Sequence, residues 1–362
     1  MASQNPTMRG YGMVIVNEAG WLEHPIPKCG NLDAIIKPTI VAPCSSDTHM
    51  LHGGSGPKSD LILGHEAVGI IEKVGKDVKN FKKGDYVVVP CVTPDWLSPG
   101  VQNSKSFTHD THMFGSFKFL GEKDGVFGEF FHVNQADANL VKLPEDVTPE
   151  AALMTVDMMS TGFHAAELAD IKFGDTVVVI GIGPVGLMAV RGAALRGAAR
   201  IIAVGTRPVC INVAKEYGAT DILSYKDGDL VEQVYELTSG RGADCAIVAG
   251  GDGSTLGQAV AMVRETGNVA TVNFYDITAE LKLPTLAWGL GMSHKDIRCG
   301  FCPGGAERIR EMLELIRYDR IDPTKIITHK FYGFDAIPEA FELMDTKTPD
   351  LIKPIVYLDR KK

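Results

Sequence analysis

Three glycines follow an apolar, β-branched stretch in the middle of the chain. Val177–Ile180 has the composition of a buried strand, the turn Gly181-Ile182-Gly183-Pro184-Val185-Gly186 follows it, and an apolar helical stretch begins at Leu187. In such a turn the first glycine permits the sharp reversal, the second lets the backbone approach a pyrophosphate, and the third lets helix pack on strand. The diphosphate would lie on free N–H groups at the helix N-terminus. The pattern predicts a dinucleotide-binding turn.

The residues after the next strand bear on which dinucleotide is bound. Ile201–Val204 reads as that strand, and Gly205-Thr206-Arg207 follows it. An acidic residue here usually holds the ribose 2′-hydroxyl of NAD, whereas an arginine accommodates the 2′-phosphate of NADP. No Asp or Glu occurs between Ile201 and Lys215, so the residue types favour NADP. The alternative is that Arg207 is an ordinary solvated surface residue.

Composition and charge exclude several classes of protein. The 362 residues are 45% hydrophobic and 22% charged, with a formal net charge of −9, which is typical of globular domains and unlike disordered or collagen-like chains. The acidic balance argues against a nucleic-acid or anionic-membrane partner. No apolar run reaches membrane-spanning length, and Met1–Gly10 lacks the apolar core of a signal peptide. We therefore expect a cytoplasmic protein with no membrane partner.

The order of predicted elements indicates two kinds of architecture. From Tyr11 to about Val89, short β-branched strands separated by Gly and Pro predict an antiparallel, barrel-like region. From Gly174 to about Gly300, strands alternate with helical stretches, which is typical of a doubly wound parallel sheet. The apolar strand Ile355–Leu358 comes last and could return to the first region. The fold class is therefore α/β with two domains.

One motif carries a family resemblance. The stretch Gly64-His65-Glu66-Ala67-Val68-Gly69, with Gly75 and Val78 after it, matches the zinc signature of medium-chain alcohol dehydrogenases. Together with Ala42–His49, Val89–Trp96, Asp157–His164 and Gly205–Cys210, it makes the chain resemble the microbial NADP-dependent secondary-alcohol dehydrogenases over nearly its whole length. The resemblance implies a GroES-like β-barrel catalytic domain (1–160 and 302–362) and a Rossmann cofactor domain (161–301).

The resemblance also implies a metal centre. It places Cys44, His65 and Asp157 on a catalytic zinc, with Glu66 as an alternating or neighbouring carboxylate. Thiolate, imidazole and carboxylate are usual zinc donors, and three protein ligands leave the fourth position open. Ser46 and His49 would relay the alcohol proton, with the cofactor ribose between them. Val92–Gly128 contains no cysteine, so the four-cysteine structural zinc of many relatives is not expected, and one zinc per chain follows.

Two further sets of residues are carried over from the family. The pyrophosphate would be lined by Gly181, Gly183, Pro184, Val185 and Gly186, and the 2′-phosphate side by Gly205, Thr206, Arg207 and Tyr225. Thr206 stands where the family usually has serine, and both carry a hydroxyl. The substrate pocket would be lined by Cys91, Val92, Phe117, Phe274, Phe301 and Cys302. Phe117 replaces a tryptophan, Phe274 a tyrosine and Cys91 an alanine, so substrate size and stereochemical preference stay open.

The implied reaction is reversible hydride transfer between short secondary alcohols, such as isopropanol and 2-butanol, and NADP, giving acetone or 2-butanone. Several alternatives remain. Polyol, threonine or aldehyde dehydrogenases of the same superfamily would need polar pocket groups, and zinc-free quinone reductases would lack the ligand trio. A non-catalytic NADP-binding protein could retain the fold alone. The resemblance further implies a homotetramer.

Overall fold

The computed structural model describes residues 6–56, 58–103, 111–113 and 123–359, with only the backbone described at 111–113. The chain divides into two compact units, Met1–Asp157 with Pro303–Lys362, and Met158–Cys302. The sequence suggests boundaries after residues 160 and 301.

The strands are β1 (Thr7–Ile15), β2 (Glu18–Pro25), β3 (Ala34–Val41), β4 (Leu61–Ile62), β5 (Ala67–Val74), β6 (Tyr86–Val89), β7 (Val92–Pro94), β8 (Thr111–Met113), β9 (Phe131–Val133), β10 (Val141–Lys142), β11 (Thr176–Ile180), β12 (Arg200–Val204), β13 (Asp221–Leu223), β14 (Ala243–Val248), β15 (Val263–Thr271), β16 (Asp296–Cys299), β17 (Ile327–Tyr332) and β18 (Lys353–Tyr357).

The helices are α1 (Ser45–Leu51), α2 (Pro99–Gln102), α3 (Ala136–Asn139), α4 (Pro149–Leu153), α5 (Ser160–Leu168), α6 (Pro184–Leu195), α7 (Pro208–Tyr217), α8 (Leu230–Leu237), α9 (Thr255–Met262), α10 (Ala306–Arg317) and α11 (Ile337–Thr346). A π-helical turn spans Thr155–Met159, and short 3₁₀ turns span Gly289–Gly291, Pro323–Ile326 and Phe334–Ala336.

The first unit is built on a sheet with strands in the order β10-β6-β5-β3-β18-β17, and β9 also pairs with β3. A smaller sheet has the order β2-β1-β4. The pairs are antiparallel, as the sequence predicts, except that β17 and β18 run parallel. The difference arises because α11 lies between these two strands in the chain, and a helical crossover returns the chain in the same direction.

The last strand of the chain completes this sheet. β18 pairs with β3 through Val356–Val41 and Tyr357–Ile40, so the C-terminal segment returns to the sheet of the first unit. All residues of β18 are buried. Val356 of this strand joins a core that includes Ile36 and Phe131. Its first residue, Lys353, is a charged exception within a buried strand.

The second unit is a parallel sheet in the order β13-β12-β11-β14-β15-β16. Numbered along this unit, the order is 3-2-1-4-5-6, the arrangement of doubly wound dinucleotide-binding domains. Its central strands are buried on both faces because helices cover them. The predicted cofactor-domain architecture is therefore confirmed. No helix among the described residues is both long and apolar enough to span a bilayer.

Candidate active site

Four side chains that come from distant parts of the sequence meet in the first unit. Donor atoms of Cys44, His65, Glu66 and Asp157 all lie within 4.8 Å of one another, and all four residues are buried. Asp157 Oδ2 is 3.8 Å from Cys44 Sγ and 3.3 Å from His65 Nε2. The structure therefore brings together the ligand set that the resemblance implies.

Local backbone geometry presents these side chains. Cys44 is the N-cap residue of α1, and His65 follows Gly64, whose φ of +89° suits glycine. Asp157 lies within the π-helical turn Thr155–Met159. Such turns insert an extra residue into a helix and are frequent at functional sites because they redirect side chains.

Asp47 holds the histidine in place, and sequence reasoning did not assign it a role. Its Oδ1 lies 3.0 Å from His65 Nδ1 and accepts a hydrogen bond from the Gly64 N–H at 3.1 Å. Its Oδ2 accepts from the Cys44 N–H at 2.9 Å. A carboxylate on Nδ1 leaves Nε2 free to ligate a metal and increases its basicity. The sequence feature that could have indicated this role is the position of an acidic residue three places after Cys44.

Glu66 lies against a buried lysine. Lys353 Nζ donates to Glu66 Oε1 at 2.5 Å, and both side chains are fully buried. Burial raises the pKa of Glu66 to about 7, against the opposing charge of Lys353. Burial lowers the pKa of Lys353, but Glu66 and Cys44 raise it, and the balance lies above its usual range. Glu66 Oε2 is buried and has no hydrogen-bond partner within the described part of the chain.

The cluster fits a zinc ion by its chemistry. It offers one thiolate, one imidazole and two carboxylates, which are zinc donors. Although burial lowers the pKa of His65, Asp47 and Asp157 raise it well above its usual value, so the site stabilises positive charge. Glu66 Oε2, which has no hydrogen-bond partner among the described residues, is a buried acceptor that a cation would satisfy.

The two predicted proton-relay residues lie on one helix. Ser46 and His49 are three positions apart in α1, so their side chains share a face of that helix. Ser46 Oγ lies 3.6 Å from Cys44 Sγ. The serine hydroxyl thus lies beside the buried cluster of Cys44, His65, Glu66 and Asp157.

In the second unit, the predicted glycine turn connects β11 to α6. Gly181 has φ of +86°, and Pro184 begins α6 after Gly183, a position that suits proline because its missing N–H needs no partner there. A Cβ on Gly186 would lie 1.8 Å from the Gly181 carbonyl oxygen. Among the described residues, a Cβ on Gly183 would meet only the Arg207 side chain, at 3.9 Å. The protein's own packing requires glycine at 186, whereas the space beside Gly183 remains for a ligand.

The predicted phosphate-binding residues follow the next strand. Gly205 packs so closely on Ile182 that a Cβ would lie 2.3 Å from its side chain. Thr206 Oγ1 and Tyr225 Oη are 3.0 Å apart, and Arg207 is the N-cap residue of α7. Two hydroxyls therefore lie at the end of β12, and the Arg207 guanidinium beside them is the group nearest to Gly183 of the glycine turn among the described residues.

The predicted pocket residues are divided between the two units. Cys91 and Val92 are buried in the first unit, and Cys302 is buried at the end of the second. Phe274 and Phe301 are partly buried members of the second unit. Phe117 lies outside the described residues.

Two family models match the chain, the alcohol dehydrogenase GroES-like domain over residues 30–145 and the zinc-binding dehydrogenase model over residues 184–317. NADP-dependent isopropanol dehydrogenase of Thermoanaerobacter brockii is 53% identical over 97% of this chain and all of that protein. The protein of the same name from Clostridium beijerinckii is 51% identical over 97% of this chain and all of that protein.

A solved structure agrees with these matches. Alcohol dehydrogenase TADH from Thermus sp. ATN1 superposes with a TM-score of 0.83 at 28% identity, covering 97% of this chain and 100% of that chain. The matched models and the full-length relatives show that the chain belongs to the zinc-binding alcohol dehydrogenase family.

Proposed function

We propose that the protein is a zinc-dependent oxidoreductase that interconverts short secondary alcohols, such as isopropanol and 2-butanol, and their ketones with NADP. The buried cluster of Cys44, His65 and Asp157 is the observation that carries the proposal. The same chain also holds a glycine turn, and Arg207 rather than an acidic residue follows the next strand, which supports NADP as the cofactor. Relatives at 51–53% identity over their full length are named NADP-dependent isopropanol dehydrogenases.

In this proposal Cys44, His65 and Asp157 hold the zinc, and Glu66 is an alternating or neighbouring carboxylate beside it. A bound zinc supplies Lewis-acid polarisation of the substrate oxygen. Asp47 orients the His65 ring through Nδ1. We assign one zinc per chain and no structural zinc, because Val92–Gly128 has no cysteine. Metal analysis of the purified protein should return about one zinc per chain.

Ser46 and His49 move the proton. The Ser46 hydroxyl, 3.6 Å from Cys44 Sγ, is placed to accept the proton that the alcohol loses. His49, one turn further along α1, carries an imidazole that can accept and release that proton.

The second unit binds and selects the cofactor. A bound cofactor would supply the hydride chemistry, with oxidised NADP as the acceptor and NADPH as the donor. The N–H groups at the start of α6 would face the pyrophosphate, with Gly183, Pro184 and Val185 at that turn. Arg207, Thr206 and Tyr225 would hold the 2′-phosphate by charge and hydrogen bonds, which NAD cannot use.

The pocket residues favour a small apolar substrate. Cys91, Val92, Phe117, Phe274, Phe301 and Cys302 bear apolar or sulfur-containing side chains. These six side chains offer no hydroxyl or amide group to the several oxygens of a polyol. A polyol would therefore lose hydrogen bonds with water on binding and not regain them from this lining. Ketones and monohydric secondary alcohols fit this lining better.

We also propose a homotetramer. Within the described residues, the segment before β16 exposes several large apolar side chains, including Leu286 (83% exposed), Met292 (71%) and Leu290 (63%). β16 is an edge strand of its sheet, so an apolar surface and an unpaired strand edge lie close along the chain. A second copy covering them would remove both from water. Light scattering after gel filtration tests the assembly, and Leu286→Glu should reduce its size.

We place the protein in the cytoplasm. All seven cysteines are free thiols, and a zinc-ligating thiol must stay reduced, which that compartment favours. Cell fractionation tests the assignment.

The reaction is tested by NADP reduction with isopropanol, run beside NAD and repeated after chelator treatment. Cys44→Ala should abolish activity and bound zinc, whereas Cys29→Ala, at a thiol outside the cluster, should retain both. Arg207→Glu should shift preference from NADP, whereas Arg196→Glu, at the other end of α6, should not. Chelator-insensitive activity, or tight NADP binding with no turnover of any short secondary alcohol, would contradict the proposal and favour a polyol, aldehyde or non-catalytic alternative.

A further inference from the structure

A threonine hydroxyl bonds to the helix backbone two residues before the proposed metal ligand Asp157. Thr155 Oγ1 donates to the Ala152 carbonyl oxygen at 2.6 Å, and Thr155 is fully buried. The bond reaches back from the first residue of the π-helical turn Thr155–Met159 into α4. A hydroxyl that bonds a carbonyl three or four residues earlier competes with backbone N–H groups for that carbonyl and bends the helix. The hydroxyl therefore acts on the backbone at the point where the α-helical path changes to the π-helical one.

A second donor reaches the same turn from outside the helix. The Cys91 backbone N–H donates to the Val156 carbonyl oxygen at 3.2 Å. In an α-helix such a carbonyl accepts from the N–H four residues later, whereas here a neighbouring segment supplies a donor. The turn is thus held from within by a hydroxyl and from outside by a backbone N–H.

The outer donor has a fixed position relative to a second proposed ligand. Cys91 lies two residues after the end of β6, and Val89 of β6 pairs with Ala67 of β5. Ala67 in turn lies two residues after His65. A short backbone path therefore connects His65, through the β5–β6 ladder, to the carbonyl next to Asp157.

The direction of Asp157 matters because the cluster is compact. Its Oδ2 lies 3.3 Å from His65 Nε2 and 3.8 Å from Cys44 Sγ. Metal sites tolerate errors of only about 0.2 Å in their ligand distances. A π-helical turn contains one residue more than an α-helical turn, so an α-helical path over Thr155–Met159 would point Asp157 in another direction. The ligand set depends on this turn.

We propose that Thr155 is a positioning residue whose hydroxyl stabilises the π-helical turn that directs Asp157 towards Cys44 and His65. The inference rests on the proposed zinc centre. Thr155 is not a ligand in this account and acts only through the backbone of the turn. Loss of the hydroxyl would favour the α-helical path, because backbone N–H groups would no longer compete with it for the Ala152 carbonyl.

Cobalt-substituted protein reports the geometry of the cluster without turnover. We would compare wild type with Thr155→Val, which removes the hydroxyl but keeps the size of the side chain, and with Thr155→Ser, which keeps the hydroxyl. The matched control is Thr39→Val, because Thr39 is also buried and its Oγ1 donates to a backbone carbonyl outside the cluster, that of Val68, at 3.2 Å. The visible d–d bands report cobalt coordination, and competition with a chromophoric chelator measures metal affinity. Thermal midpoints of the metal-free proteins measure stability.

In Thr155→Val we expect altered d–d bands and a metal affinity at least about 10-fold lower, the scale on which groups that orient metal ligands act. Thr155→Ser and Thr39→Val should keep the wild-type bands and affinity. The metal-free Thr155→Val and Thr39→Val proteins should each lose about 2–4 °C in thermal midpoint, the usual effect of one lost hydrogen bond in a unit of this size. A difference in metal binding between these two variants therefore reports the direction of Asp157 rather than general stability.

Wild-type bands and affinity in Thr155→Val would overturn the inference, as would an equal loss of affinity in Thr39→Val or Thr155→Ser. If Thr155→Val does not fold, Thr155→Ala, which also removes the hydroxyl and favours the α-helical path, must show the same change or the inference is wrong. The wild-type spectrum separates the two proposals. Absence of a thiolate–cobalt band that depends on Cys44 contradicts the proposed metal centre itself, whereas a normal band that Thr155→Val leaves unchanged contradicts only the role of Thr155.

Discussion

Asp47 Oδ1 lies 3.0 Å from His65 Nδ1, and both side chains are buried. The same carboxylate accepts hydrogen bonds from the backbone N–H groups of Cys44 and Gly64. One side chain thus fixes the ring of one proposed ligand and the backbone of another. The site is ordered by protein contacts that do not involve the metal.

Asp47→Asn should weaken metal binding by about 10- to 100-fold, the usual cost of losing a carboxylate behind a ligating histidine. Competition with a chromophoric chelator measures the affinity. Asp137→Asn is the matched control, because Asp137 also accepts from two backbone N–H groups, those of Lys79 and Asn80, but outside the cluster. Equal metal affinities in the two variants would contradict the role of Asp47.

Two glycines of one turn should respond differently to alanine. In Gly186→Ala the new Cβ would overlap the Gly181 carbonyl oxygen, so we expect a loss of about 3 kcal/mol in stability. In Gly183→Ala no described residue obstructs the Cβ, and the change at a helix N-cap costs no more than about 1 kcal/mol. It should instead lower NADP affinity at least about 10-fold. Thermal midpoints and fluorescence titration separate the effects, and a Gly183→Ala protein with normal NADP affinity would contradict this reading of the turn.

The hydroxyl pair at the end of β12 gives a graded test of phosphate recognition. Thr206 Oγ1 and Tyr225 Oη are 3.0 Å apart. Thr206→Val should raise KM for NADP about 10-fold, since a hydrogen bond to a charged group contributes about 1.5 kcal/mol or more. KM for NAD should not change. Thr206→Ser keeps the hydroxyl and should behave as wild type; an equal loss with both cofactors would point to a damaged fold rather than a lost phosphate contact.

Sequence reasoning reached the cofactor turn because its signal is local. A β-branched strand, three spaced glycines and a proline at the start of α6 lie within a short stretch, and each has its own steric reason. The order of strands in the second unit then follows from regular alternation of strands and helices. Such features need no knowledge of distant parts of the chain.

The metal cluster depends on contacts that no local pattern contains. Asp157 entered only through resemblance, because its approach to Cys44 depends on a π-helical turn that residue composition does not reveal. Lys353 was missed altogether. Its significance comes from the pairing of β18 with β3, which brings a C-terminal lysine to Glu66. Asp47 lies within the stretch Ala42–His49, which carries part of the family resemblance. Its contact with His65, however, exists only once the fold brings α1 next to the segment before β5.

His24 should make the stability of the first unit depend on pH. Its Nδ1 lies 2.8 Å from Asp124 Oδ2 and its Nε2 3.0 Å from Asp60 Oδ1. Although burial lowers the pKa of His24, these two carboxylates raise it above its usual value.

A pKa that is higher in the folded state than in the unfolded state stabilises the fold. This stabilisation is complete below the unfolded-state pKa and is lost as the pH rises through the folded-state pKa. His24→Gln should therefore lower the free energy of unfolding at pH 5.5 and have little effect at pH 9. The loss should be only about 1 kcal/mol, because Asp60 is exposed and Asp124 is only partly buried. Asp60→Asn, tolerated at its φ of +60°, should lose part of the same dependence. A His24→Gln deficit in thermal midpoint that is equal at both pH values would show that the contribution is packing rather than charge.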